Sequence, residues 1–192
     1  MYWFVRERLV LMRGQGAAYD ERRTAIVEAV FALVDAGGVE QVSVRRVADQ
    51  AGVSIGRVQH YFPTKDDLLH AAFAAINELG AQRVQERADR DRPADVLRAV
   101  LTVLIPQTED DRRLFRIQQA FETHALTSAE LGAQVKQGYR ELAGLFTLLL
   151  GGPGHEGEAQ ELLATSVGLA ALVLNDTMTS AEAEVIVRRR LS

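Results

Sequence analysis

SVRRVADQAGVSIGRVQHYF, residues 43–62, is the stretch on which the fold turns. Its apolar residues recur at helical spacing, and a glycine interrupts them midway. Ser43 offers a hydroxyl that accepts an orphan backbone N–H, so it caps a short helix over residues 44–51. Gly52 turns the chain at a position that needs a positive φ. Ser54 caps a second short helix that ends near Phe62-Pro63. Two helices joined by the three-residue turn Gly52-Val53-Ser54 cross closely, so a small residue must face the crossing. Ala48 stands there, four positions before the glycine. Val58, six positions after it, pins the second helix to the first. Val44, Val47, Ala51, Val53 and Tyr61 take the remaining inward positions, and no charged residue falls on any of them. Together these constraints specify a helix-turn-helix. The plainer alternative is two short core helices with a tight turn between them.

The residues left outward suit a duplex. Ile55, Gly56, Arg57, Gln59 and His60 occupy the free face of the second helix. An arginine reaches guanine O6 and N7, and a glutamine pairs with adenine or meets a phosphate. Gly56 removes a side chain where the helix approaches the DNA backbone. Ser43, Arg45, Arg46 and Lys65 flank the motif and suit phosphate oxygens, which position a protein without reading sequence. Ser54 and Tyr61, at the ends of the second helix, complete the candidate DNA-binding set. Residues 43–65 hold four basic residues and one acid, Asp49, a local surplus of +3, while the whole chain carries −4. Each arginine taken alone reads as a solvated surface charge. Its place beside the second helix turns that reading toward a phosphate or base contact.

The rest of the chain is also helical in spacing, so the fold class is all-α with about nine helices. A first helix covers about residues 20–36, with Ile26, Val30, Leu33 and Val34 in one stripe and Gly37-Gly38 as its stop. Thr64 and Asp67 have the spacing of a capping box and open a long helix to about residue 90. Pro93 opens the next helix, and residues 108–111 start another that reaches about residue 125. Thr127 and Glu130 form a further capping box. The helix after them carries Leu131, Val135, Gly138, Leu142, Leu145 and Leu149 at spacings of three and four, and Gly151-Gly152-Pro153-Gly154 ends it. A strongly apolar helix covers about residues 156–174. Thr179 and Glu182 cap a last helix over residues 181–190. The expected organisation is an arm (residues 1–19), a helix-turn-helix domain (20–64), a connecting helix (65–90), and a ligand-binding and dimerisation domain (91–192). The arm reads as loose chain or a fraying helix. Laid on DNA it would offer Arg6, Arg8 and Arg13, and Met12 is an alternative start.

Composition removes other classes. At 192 residues and 21.1 kDa the chain suits one medium domain, or a small module joined to a larger one. With 47% hydrophobic and 25% charged residues it has the means for a sizeable core. A net charge of −4 excludes a bulk polycation that coats nucleic acid. The absence of cysteine excludes disulfides, thiolate catalysis and cysteine-based zinc sites. His60, His70, His124 and His155 are scattered without metal-ligand spacing, so no metal or other cofactor is expected. No Gly-x-Ser-x-Gly elbow, phosphate loop, paired-histidine motif or acid–base pair appears, so no enzyme is expected. The longest uncharged apolar stretch, residues 162–175, is shorter than the roughly 20 residues of a membrane span. Arg6, Glu7 and Arg8 interrupt the only early apolar run. Neither a membrane segment nor a secretory signal is therefore expected, and the expected location is the cytoplasm.

The longer segment SVRRVADQAGVSIGRVQHYFPTKDDLLHAAF resembles the DNA-binding part of the tetracycline-repressor (TetR) family. That family shows a Thr or Ser cap, Ala-x-x-Ala-Gly-Val-Ser, a glycine two residues on, an aromatic-rich end, and Lys-x-x-Leu opening a long helix. This chain supplies Ser43, Ala48, Ala51-Gly52-Val53-Ser54, Gly56, His60-Tyr61-Phe62, and Lys65 with Leu68. The resemblance covers about residues 21–79; beyond that it extends only to helix count and order. Two positions depart from it. Gln59 stands where the family often carries an aromatic that touches phosphate, so Gln59 either reads a base or makes a weaker phosphate bond. Ile55 stands where lysine is common, which removes a phosphate partner. The resemblance implies a homodimeric repressor released from its operator by a small molecule. One short helix reads too few bases for specificity. Two copies on a two-fold axis, about one DNA turn (~34–36 Å) apart, read a palindromic double-stranded operator.

Residues 91–192 must then supply dimerisation and any ligand site. The apolar helix near residues 162–174 has two apolar sides and needs two partners. The expected dimer contacts are Leu162, Ser166, Leu169, Ala170 and Val173, with Val185 and Ile186 from the last helix. Ala164, Gly168 and Ala171 permit a close crossing. By resemblance these two helices form a four-helix interface with the partner; the alternative is a central helix buried in a monomer. For an unknown small-molecule effector the expected lining is Leu104, Phe115, Gln118, Glu122, Tyr139 and Phe146, aromatic walls with a few polar groups. Gln118 and Glu122, four apart, read equally as a surface pair. Two functions compete: a repressor released by an effector, and a ligand-independent dimeric regulator or adaptor without a working effector site.

Overall fold

The computed structural model describes residues 16–87 and 92–190, and all of their regular structure is helical. The order is α1 (Gly16–Gly37), a 3-10 turn (Val39–Gln41), α2 (Val44–Ala51), α3 (Ile55–Tyr61), α4 (Lys65–Arg87), α5 (Pro93–Val103), α6 (Glu109–Ala125), α7 (Ala129–Leu149), α8 (Glu156–Leu174) and α9 (Ser180–Arg190). Among the described residues there are nine α-helices, and the all-α class is as the spacing predicts. The described residues divide into two compact units, one ending at Leu68 and the other beginning at Leu69.

In the first unit α1 packs on the 3-10 turn and on α2, and α2 packs on α3. Ile26, Val30, Phe31, Val47, Ala48 and Val58 are at most 1% exposed. Burying a side chain of valine or isoleucine size contributes about 1.5–3 kcal/mol, so these few residues hold a small unit together. Gly38, at φ 80°, donates its N–H to the Val34 carbonyl at 2.7 Å and closes α1. α1 begins at Gly16, four residues before the expected start. The rest of the expected arm, residues 1–15, lies outside the described residues, as does the expected end of α4 near residue 90.

In the second unit α7 packs against α5, α6 and α8, α8 also against α6 and α9, and α5 against α9. Leu101, Ile105, Phe146, Ala159, Val173 and Ala183 form its buried centre. Phe73 of α4 meets Phe121 of α6 edge-on, ring centroids 6.1 Å apart. The Thr108–Asp111 capping box opens α6. Asp111 Oδ2 accepts from the Gln107 and Thr108 backbone N–H groups at 3.1 and 3.0 Å, and the Arg83 guanidinium of α4 donates to Oδ1. Burial pushes the Asp111 carboxyl up, but the backbone donors, the Thr108 hydroxyl and Arg83 outweigh it and hold the carboxyl below its ordinary value. Arg112 fastens α6 to the end of α8, donating to the Val173 carbonyl at 2.8 Å and to Asp176 at 3.1 Å.

One sequence expectation needs correction here. Ser128, not Thr127, caps α7, accepting from the Leu131 N–H at 3.4 Å, while the Thr127 hydroxyl donates to the His124 carbonyl. The preceding helix runs on to Ala125 and a further turn occupies Thr127. Leu162, Ser166, Leu169, Ala170 and Val173, expected to meet a partner, are buried in their own unit at 0–6% exposure. The free face of α8 carries Ala164, Val167, Gly168 and Leu172, with Val167 at 41% and Leu172 at 37% exposure. Of the expected α9 residues, Val185 is 47% exposed and Ile186 is half-buried against the core. Among the described residues only α8 is long and apolar enough, by length and composition, to cross a membrane. Seven of its residues are buried in the protein's own interior.

Candidate nucleic-acid interface and small-molecule pocket

The geometry of residues 43–62 follows from local chemistry. The Ser43 hydroxyl accepts the Arg46 N–H at 3.2 Å and starts α2. Gly52 ends it in the left-handed region, φ 66° and ψ 33°. The Gly52 N–H bonds to the Asp49 carbonyl at 3.3 Å and the Val53 N–H to the Ala48 carbonyl at 3.0 Å. These are the paired bonds of a Schellman motif, and they fix the angle at which the chain leaves α2. The Ser54 hydroxyl accepts the Arg57 N–H at 3.2 Å and starts α3 within three residues. Val58 and Ala48 are buried, as the helix-turn-helix spacing requires.

With Val58 inward, the opposite side of α3 is open. Ile55, Gly56, Arg57, Gln59 and His60 are all exposed, and so is Ser54. Ile55, at 45%, is the only large hydrophobic residue that exposed among the described side chains of the first unit. Nothing lies within 4 Å of where a Cβ on Gly56 would stand. Tyr61 is half-buried and edge-on to His60, ring centroids 5.4 Å apart. Arg23 of α1 stacks over Phe62, 5.5 Å from the ring centroid, and steadies the end of α3. Arg45 and Arg46 are exposed on α2, Ser43 and Lys65 are half-buried. Arg46 also donates to Gln41 Oε1 of the 3-10 turn, a tether that helical spacing does not reveal. Ile55, Gly56, Arg57, Gln59 and His60 thus stand exposed on α3 with no acid among them.

The second unit holds a cavity of about 450 Å³ walled by α6, α7, α8 and the α6–α7 connection. Its lining is Glu122, Ala125, Leu126, Gly132, Val135, Lys136, Tyr139, Arg140, Gln160 and Leu163. Two of the expected ligand residues, Glu122 and Tyr139, are in it. The Tyr139 hydroxyl donates to Glu122 Oε1 at 2.8 Å and the Gln118 amide donates to the same oxygen at 3.0 Å. Burial, then the Glu122 charge and the bond to it, push the Tyr139 phenol well above its ordinary value, so it stays a neutral donor. Gln118 therefore supports the pocket through Glu122 rather than lining it. Phe115 is half-buried elsewhere, Leu104 packs against the hydrophobic centre, and Phe146 is fully buried in that centre. Leu104 and Phe146 belong to the apolar centre rather than to the cavity wall. The residues missed on α7, namely Gly132, Val135, Lys136 and Arg140, share one helix face with Tyr139 at spacings of three and four. Gly132 is required there: a Cβ would lie 2.9 Å from the Ala125 carbonyl oxygen. Among the described residues no cluster of histidine and carboxylate groups fits a metal ion.

Residues 26–72 match the family model described as "Bacterial regulatory proteins, tetR family". The chain is 32% identical over 154 residues to the HTH-type transcriptional regulator BetI of Stenotrophomonas maltophilia, covering 77% of this chain and 79% of that one. It is 32% identical over 108 residues to the regulator PksA of Bacillus subtilis, where the match spans about half, 53%, of that protein's length. Among solved structures it is similar to a transcriptional regulator from Rhodococcus sp. RHA1, with a TM-score of 0.77, 30% identity, and coverage of 88% of this chain and 93% of the other.

Proposed function

Since the chain belongs to the tetR family of bacterial regulatory proteins, we propose that it is a homodimeric transcriptional repressor, released from a palindromic operator by a small molecule. The observation that carries this reading is the exposed face of α3, with Arg57, Gln59 and His60 free and Val58 anchored inward. Arg57 reads guanine, Gln59 reads adenine or holds a phosphate, and Arg45, Arg46 and Lys65 set the register on phosphates. Letting go of Gln41 frees Arg46 for that role. Dimerisation uses the exposed apolar stripe of α8, Val167, Gly168 and Leu172, together with Val185 of α9. The cavity beside Glu122 receives the effector and favours this reading over a regulator without an effector site, since its volume lies in the range of small-molecule sites, roughly 300–1,000 Å³.

α4 starts in the first unit and continues into the second. It carries Arg83, bound to Asp111 at the start of α6, and α6 carries Glu122 further along. Effector binding acts on α6 and reaches α4 through that ion pair. A coupling of about 1–3 kcal/mol lowers operator affinity about 5–150-fold. A gel-shift with the DNA upstream of the protein's own reading frame tests the proposal. Wild type retards it and Arg57→Ala does not; equal behaviour of the two proteins removes the base-reading role.

A further inference from the structure

The cavity is lined by one carboxylate, Glu122, and both of its side-chain hydrogen bonds go to the same oxygen. Glu122 Oε1 accepts from both Tyr139 and Gln118. A carboxylate oxygen has two lone-pair sites, so Oε1 is filled. Glu122 Oε2 has no hydrogen bond among the described residues. We propose that the pocket takes a small molecule with an apolar body and one N–H or O–H donor, and that it selects for the donor rather than for positive charge. This rests on the effector reading above and names the class of molecule that reading requires.

The donors around Glu122 fix its role. Tyr139 is held protonated, and the Gln118 amide already points its N–H at Oε1, so the carboxylate only accepts. A ligand ether, carbonyl or carboxylate set against Oε2 meets another acceptor and loses its water without replacement. A hydroxyl or an amine supplies the missing donor. The body is met by Ala125, Leu126, Val135 and Leu163. Charge alone does not explain the site. Lys136 and Arg140 also line the cavity, and both are exposed. They set two positive charges against the one negative, so the lining as a whole does not draw in a permanent cation. What remains is directional, a donor aimed at one carboxylate oxygen in a mostly apolar cavity.

Four compounds with one body decide the matter: 4-phenylbutan-1-ol, 4-phenylbutylamine, its N,N,N-trimethyl derivative and the methyl ether of the alcohol. They are titrated calorimetrically into the full-length protein. The alcohol and the amine bind about tenfold or more tightly than the ether and the trimethylammonium compound, the loss expected when a charge-assisted bond is not made. The preference disappears in Glu122→Ala/Tyr139→Phe, which removes the acceptor without stranding the phenol; its folding is checked by its melt and its DNA binding. Should that variant not fold, the series on wild type still decides. Ether or trimethylammonium binding as tight as the alcohol overturns the proposal, and so does failure of all four to bind. The same compounds added to a gel-shift separate the two ideas. Donor-selective binding that never releases DNA leaves the ligand class standing and removes the effector reading. Release by the ether as readily as by the alcohol does the reverse.

Discussion

α3 and α8 are each packed on one side only, and they differ in what the other side carries. The free face of α3 bears Arg57, Gln59 and His60; that of α8 bears Ala164, Val167, Gly168 and Leu172. Polar groups bonded to water exchange those bonds for base edges and phosphates at little net cost, whereas exposed valine and leucine gain by leaving water altogether. The same construction, one anchored face and one open, leaves a polar surface on the short helix and an apolar one on the long, and the proposed function gives DNA to the first and a second copy of the chain to the second. α3 is held by Val58 and one serine cap, Ser54. α8 is held by seven buried residues and by Arg112 at its end. α3 is the lightly anchored element, and α8 the firm one.

Charging the α8 face breaks this comparison most severely. Val167→Glu with Leu172→Glu yields monomers in analytical ultracentrifugation. It drops operator affinity to the non-specific level, about a thousandfold or more. A charged pair that still sediments as a dimer moves the interface elsewhere. Arg57→Ala comes next. It takes one base-reading side chain out of each half-site, so operator affinity falls about a hundredfold by fluorescence anisotropy, while the melting temperature stays within a degree or two of wild type.

Smaller effects test the anchors. Asp111→Ala removes the α6 cap and leaves Arg83 without its partner, costing about 2 kcal/mol in urea unfolding. It also has a pH signature. The Asp111 carboxyl is lowered in the folded chain, so the unfolded chain binds its proton first. The stability it confers is complete above the unfolded value of about 3.9 and is lost as pH falls through the lower folded value. Wild type therefore loses stability more steeply than the variant below about pH 4. Gly52→Ala costs about 1–2 kcal/mol; nothing lies within 4 Å of the added Cβ, so the whole cost is the left-handed backbone. It weakens DNA binding only as far as α3 tilts, which separates a misaimed helix from a missing base partner.

How much of this was legible in the sequence differs between the two helices for the same physical reason. Around α3 every constraint is local. Ser43, Ala48, Gly52, Ser54 and Val58 lie within sixteen residues, and each has a single structural task that few residue types perform. The boundaries of α2 and the exposed set on α3 could be read directly. α8 is apolar on both sides, and composition does not say which side meets the protein's own core. That is settled by α6, α7 and α9, which are distant in sequence, and the face expected to meet the partner is the buried one. The pocket lies between these cases. Glu122 and Tyr139 stood out as polar groups on helices otherwise apolar inside. Lys136, Arg140 and Gln160 looked like ordinary surface residues, and Phe146 like a pocket wall, because an aromatic side chain suits a core and a cavity equally.

Selection of bound sequences from random double-stranded DNA tests the central claim most directly. The account predicts an enriched site made of two inverted half-sites about one helical turn apart, ~34–36 Å centre to centre, with a guanine whose replacement no longer matters to Arg57→Ala. Enrichment of a lone half-site, or of no sequence at all, would contradict it.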